Sequence, residues 1–239
     1  MRVAWFSAGA SSFVAAYLSR PDRVVYIDVA DQHPDSMRFV RDCEGALGRE
    51  IEVIRSTEYS GVDDVIERRR YINGPGGAAC TLLLKKRVRQ EWERRNYPHQ
   101  EGFEYVWGFD ANERRRAERL DAVTLEARNL YPLIERWLTK EDCHAMLERL
   151  GIRRPAMYDL GYANNNCVGC VKGGMGYWNR IRGDFPDVFA RRAREEREVG
   201  HSCIKGVFLD ELSPERGDMK TEIMPECSLM CELAIKEDE

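Results

Sequence analysis

Over the first 56 residues, apolar runs and breaks alternate in a way few folds accept. RVAWF (2–6) reads as a short buried strand, SAGASS (7–12) as a turn of small residues, and FVAAYLSR (13–20) as a helix that stops at Pro21. RVVYIDVA (23–30) is a second strand with Asp28 towards its carboxyl end. HPDSMRFVRDCEGALG (33–48) is a helix with Pro34 near its start and Gly48 at its stop, and EIEVIRS (50–56) is a third strand. Strand–helix–strand–helix–strand at this spacing predicts a parallel sheet with helices on both faces.

The fold expected is therefore α/β and Rossmann-like, with FEYVWGF (103–109) and AVTLEA (122–127) as further strands. Helices are expected over 62–70, 80–95, 140–150 and 175–196. From about Gly161 the pattern loosens into loops and glycines. The expected organisation is an α/β domain over 1–160 with a loop-rich, cysteine-containing region, 161–239, packed on it. With 239 residues and 43% hydrophobic, the chain affords a full core. The net charge of −4 excludes a bulk polycation, so nucleic-acid contact would need a local basic patch. The opening apolar stretch is too short for a signal peptide, and no later run reaches the ~20 apolar residues of a membrane span. A cytoplasmic protein is expected, and there eight cysteines are thiols, ligands or redox centres before they are disulfides.

Two stretches carry chemistry. FSAGASS follows a strand and opens a helix, where small residues let a phosphate approach the backbone and the helix N–H groups point at it. It has neither the Lys-Ser/Thr ending of a Walker A loop nor the glycine pattern of a dinucleotide loop, and tight packing is the competing reading. Ligands of open α/β sheets bind at strand carboxyl ends, which favours function. Ser7, Gly9, Ser11 and Ser12 are the candidate phosphate cradle, and Asp28 a candidate for the ribose or base, against the plainer role of helix cap. The second stretch is NNNCVGCVKGG (164–174). Cys167-x-x-Cys170 suits an iron–sulfur cluster, a closed zinc site or a redox disulfide.

These and further segments together resemble a family. SAGASS is similar to a degenerate pyrophosphate loop of the PP-loop ATP pyrophosphatases and the PAPS reductase family. In the same order, YIDVADQHPDS (26–36), AACTLLLKKRVRQ (79–90), YVWGFDANE (105–113), NLYPLIERWLTKEDC (129–143), YDLGYANNNCVGC (158–170) and MPECSLMC (224–231) resemble that family's segments, its cluster-bearing branch above all. The resemblance implies an adenine nucleotide α-hydrolase-like fold, bound ATP or another adenine nucleotide with Mg, and a [4Fe–4S] cluster, with zinc as the alternative. It implies Cys80, Cys167 and Cys170 as ligands, Cys203 as a fourth, and Cys227 as a nucleophile with Cys231 its partner. A tail cysteine in place of Cys203 is another fourth ligand; with three cysteines one iron stays open to hold a sulfide, as in cluster-bearing tRNA thiolases. Gly108 takes the place of the family's strand-four glycine, with Arg114 after it as a phosphate contact. Lys172, near the ligands, would clamp phosphate or cluster charge, although solvated lysines are the commoner case.

The departures are Ala8 for the loop's second glycine, Ser11 for its aspartate, Ala79 for a paired cysteine, and Asp110 and Glu113 where sulfonucleotides are read. Three functions remain open: nucleotide-dependent sulfur transfer drawing on a sulfur donor; sulfonucleotide (APS or PAPS) reduction drawing on a thiol reductant; and a non-catalytic nucleotide-binding regulator. A nucleic acid held by local basic patches is a possible substrate of the first.

Overall fold

The computed structural model describes residues 1–74, 77–97, 102–122 and 128–222. The strands are β1 (Arg2–Phe6), β2 (Arg23–Ile27), β3 (Glu52–Ile54), β4 (Asn73–Gly74), β5 (Gly77–Ala78), β6 (Glu104–Val106) and β7 (Arg128–Leu130). The α-helices are α1 (Ala10–Ser19), α2 (Asp35–Leu47), α3 (Val62–Arg69), α4 (Ala79–Thr81), α5 (Arg87–Asn96), α6 (Arg114–Asp121), α7 (Pro132–Glu135), α8 (Lys140–Arg149), α9 (Ala156–Asp159), α10 (Met175–Asp184) and α11 (Pro186–Val199). A π-helical segment, Leu82–Lys86, joins α4 to α5.

The chain forms two compact units. The first comprises residues 1–28, 33–54 and 88–165. It holds a five-stranded sheet in the order β3-β2-β1-β6-β7 in which every pairing is parallel. Its inner strands β1 and β2 are near-continuous apolar runs because both faces are covered, whereas the edge strands β3 and β7 are partly exposed. On one face Phe6, Tyr26 and Val106 join Phe13 and Val14 of α1, Phe39 of α2 and Leu147 of α8 in one cluster. On the other, Trp5 meets Trp92 of α5 edge-on at 5.3 Å, and the Trp92 indole N–H donates to Glu52 at 2.7 Å. The chain leaves β1 towards β2 and β3, then returns to β6 on β1's other side. The crevice between the carboxyl ends of β1 and β6 is thus a topological switch point.

The second unit comprises residues 29–32 and 55–87 together with 166–222. Its core is helical: Trp178, Tyr177 and Ile181 of α10 are at most 1% exposed. Arg192 of α11 is fully buried and paired with Asp63 at 3.0 Å and Glu195 at 2.6 Å.

Several expected boundaries move. The first helix begins at Ala10, not residue 13, because Gly9, in extended conformation, is already its N-cap. The helix expected over 175–196 is two, since Pro186 lacks the N–H a continuous helix needs and Phe185 is non-helical. Of the strand expected at 122–127, Ala122 instead ends α6 and the other residues lie outside the described set; the edge strand is β7. Cys227 and Cys231 also lie outside the described residues.

Candidate functional site

In the first unit, residues 7–12 follow β1 and lead into α1. Ala8 sits at φ +56°, the left-handed region that costs a residue with a Cβ about 1–2 kcal/mol. Ser12 closes the loop on itself. Its hydroxyl accepts from the Ser7 N–H (3.1 Å), the Ser7 hydroxyl (3.0 Å) and the Gly9 N–H (3.3 Å), and donates to the Gly9 carbonyl (3.0 Å). Ser11 is 1% exposed and faces Cys143 of α8, whose thiol burial pushes up to about 12. Ser7 is half-buried at the start of the turn, while Gly9, Ser11 and Ser12 are buried within it. The Tyr158 hydroxyl accepts the Ala10 N–H at 3.3 Å.

Gly108, just past β6, lies hard against this loop: a Cβ there would come within 2.4 Å of Ser12 Cα and 2.5 Å of Ser12 N. Its role is close approach of two backbones, which only glycine allows. Asp28 follows β2, its N–H donating to the Ile54 carbonyl at 2.8 Å. Arg114 is exposed at the start of α6, its guanidinium 5.2 Å from the ring centre of Trp137, itself 72% exposed. Asp110 and Glu113 have a local job. The Asp110 carboxylate accepts the Asn112 N–H at 2.8 Å, Glu113 accepts the Asp110 N–H at 3.1 Å, and Glu113 pairs with Arg116. They cap the 3-10 turn Ala111–Glu113, and burial raises the Asp110 pKa above the ordinary carboxylate value.

In the second unit, Cys80, Cys167 and Cys170 line one cavity with Lys85, Lys172, Thr81, Val29 and Val62. The elements that present them explain why. Cys80 is in α4, immediately before the π-helical segment, a rare geometry that recurs at functional sites. The Cys-x-x-Cys loop turns at Gly169, at φ +74°, where a Cβ would meet Val188 at 2.5 Å. Tyr177 clamps the loop: its hydroxyl accepts the Cys170 N–H at 2.9 Å and donates to the Cys167 carbonyl at 3.2 Å. Asp31 anchors it too, its carbonyl accepting the Val168 N–H at 2.8 Å and its carboxylate the Val62 N–H at 2.7 Å.

Cys203 is not among the residues that line that cavity, yet its thiol is near enough to Cys170 for the two to interact electrostatically. Its N–H donates to Glu196, which also accepts the Leu209 N–H at 2.6 Å, and its thiol faces the same carboxylate. Burial pushes the thiol's pKa well up and the Glu196 charge adds to it.

Among the described residues no group of three or more His, Cys, Asp or Glu side chains is arranged to hold a metal ion. The donor chemistry around the cavity nonetheless suits a soft metal: three thiols beside an ammonium, Lys172 Nζ, that is buried and has no hydrogen-bond partner among the described residues. An unpaired buried ammonium is costly, and a metal–thiolate group is the kind of anion that offsets it. Sequence reasoning missed Tyr177 as the clamp of the Cys-x-x-Cys loop; only the folded turn brings its hydroxyl to Cys167 and Cys170. No helix among the described residues is long and apolar enough to cross a membrane. No protein-family model matches this chain, and no curated protein is similar to it.

Proposed function

We propose that this protein is an adenine-nucleotide-dependent sulfurtransferase of the PAPS reductase-like kind, with a metal–thiolate centre on Cys80, Cys167 and Cys170. The observation that carries the reading is the single cavity where thiols from two distant segments meet two lysines. The α/β unit with its small-residue turn at the switch point supports the nucleotide half.

In this reading the turn and the α1 N-terminus hold the nucleotide phosphates with Mg, and Asp28 lies towards the nucleoside. A carbonyl oxygen of the substrate attacks the α-phosphorus of ATP and expels pyrophosphate. Sulfide from a donor then displaces AMP: the C–O bond breaks, a C=S bond forms, and a proton is released. Lys172 and Lys85 hold negative charge at the thiol cavity, and Tyr177 fixes the Cys-x-x-Cys loop. A [4Fe–4S] cluster bound there supplies an iron position open to sulfur, whereas zinc would supply charge alone. Cys227, with Cys231 as its resolving partner, is the nucleophile in the sulfonucleotide reductase reading. One observation favours keeping that reading: Asp110 and Glu113 are consumed in a cap, so they are not carboxylates offered to a sulfate.

Anoxic purification followed by iron, zinc and sulfide analysis, with an absorption spectrum, tests the centre. Brown protein that becomes colourless in Cys167→Ser and Cys170→Ser supports it; metal-free protein sinks it. Thiolation needing ATP and sulfide supports transfer, while consumption of APS or PAPS with a thiol reductant and no ATP selects the reductase.

A further inference from the structure

Asn165 is 6% exposed, and the amide nitrogen of its side chain bridges two segments. Its amide nitrogen donates to the Ala8 carbonyl at 2.8 Å and to the Ser36 hydroxyl at 3.0 Å. Ala8 belongs to the turn after β1, and Ser36 to the first turn of α2, after β2. The carboxamide therefore sits at the carboxyl side of the sheet, beside the α1 N-terminus. These two bonds fix its orientation, since the reverse would set two carbonyl oxygens against each other. Its oxygen, Oδ1, is buried and has no partner among the described residues.

A buried acceptor left unpaired costs about 1–3 kcal/mol, and it asks for an N–H or O–H. Nucleotide phosphates at neutral pH bring almost no such donor. The nucleoside brings two kinds: the ribose hydroxyls and the exocyclic amine of adenine. We infer that Asn165 is a specificity residue of the nucleotide site, its Oδ1 accepting a hydrogen bond from the nucleoside while its amide holds the phosphate turn in place. The inference rests on the nucleotide half of the function proposed above.

The test is a binding cycle by calorimetry with full-length protein. Wild type and Asn165→Leu are titrated with ATP, 2′-deoxy-ATP, 3′-deoxy-ATP and the purine riboside triphosphate that lacks the amine. Wild type should bind one analogue about tenfold more weakly than ATP, the worth of one buried hydrogen bond, and that analogue names the donor. Asn165→Leu should bind ATP more weakly by at least as much, yet no longer distinguish ATP from that analogue. Should Asn165→Leu weaken all four ligands by one common factor, Asn165 only supports the turn and the inference falls. It falls equally if wild type binds all four alike. If Asn165→Leu is unstable, Asn165→Asp, which keeps Oδ1, replaces it, and ATP must still be preferred over the analogue. Wild type that binds none of the four overturns the nucleotide site itself, an outcome distinct from binding without discrimination.

Discussion

Tyr177 holds the Cys-x-x-Cys loop with a single oxygen, so its removal isolates what preorganisation is worth there. Tyr177→Phe removes both of these buried hydrogen bonds and should destabilise the metal-free protein by about 1–3 kcal/mol in urea unfolding. The same variant should lose bound metal to a chelator faster than wild type; equal stability and equal retention would remove the clamp from the account. Gly108→Ala is the harsher change, because the new methyl would press on Ser12 backbone that has no room to yield. Unfolding at lower denaturant and lost nucleotide binding are expected. Gly45→Ala is the control: that glycine is exposed within α2 with nothing near its Cβ position, and the change should stabilise by about 0.5–1 kcal/mol. Cys203→Ser should keep its metal while Cys170→Ser does not, because Cys203 is absent from the cavity lining and its N–H and thiol are both engaged by Glu196. Loss of metal in Cys203→Ser would make it the fourth ligand.

The start of α2 is tied down electrostatically. The Arg38 guanidinium grips Asp35 and, with the Ala156 N–H at 2.8 Å, holds its carboxyl down to about 2. A depressed folded pKa contributes stability that is present above the unfolded value near 4 and lost as pH falls through the folded one. Asp35→Asn should therefore be less stable than wild type at pH 6, with the gap closing between about pH 4 and pH 2; a gap that is constant with pH would contradict this. What the sequence made legible follows from the same physics. The apolar runs 2–6 and 23–30 and the Pro34 and Gly48 boundaries announced β1, β2 and α2 correctly, since local pattern and final burial agree there. The break at Pro186 was written in the sequence as well, but the helical pattern on both sides masked it. The π-helical segment after Cys80 had no local signal, and neither did the Asn165 bridge. Both depend on partners far away in the chain.

For the molecule as a whole, the two units give a spatial readout of the proposed metal centre. A ligand that binds only the folded second unit protects that unit from opening. Stripping metal under anoxic conditions should speed amide exchange in residues 55–87 and 166–222 while leaving the sheet strands β1, β2 and β6 unchanged. Uniform acceleration, or none, would place the centre elsewhere. The Cys-x-x-Cys motif was readable at once, whereas its grouping with Cys80 rested on resemblance, because a unit assembled from separated chain segments leaves no contiguous signature. That interleaving also sets a timetable for biosynthesis. Cys80 leaves the ribosome about 90 residues ahead of Cys167, a lead of roughly 5–18 s at ordinary elongation rates. Throughout that interval its thiol is without the other two cavity cysteines, open to any oxidant or stray ion in the cell. Assembly of the three-thiol cavity therefore waits until Cys167 and Cys170 have both emerged.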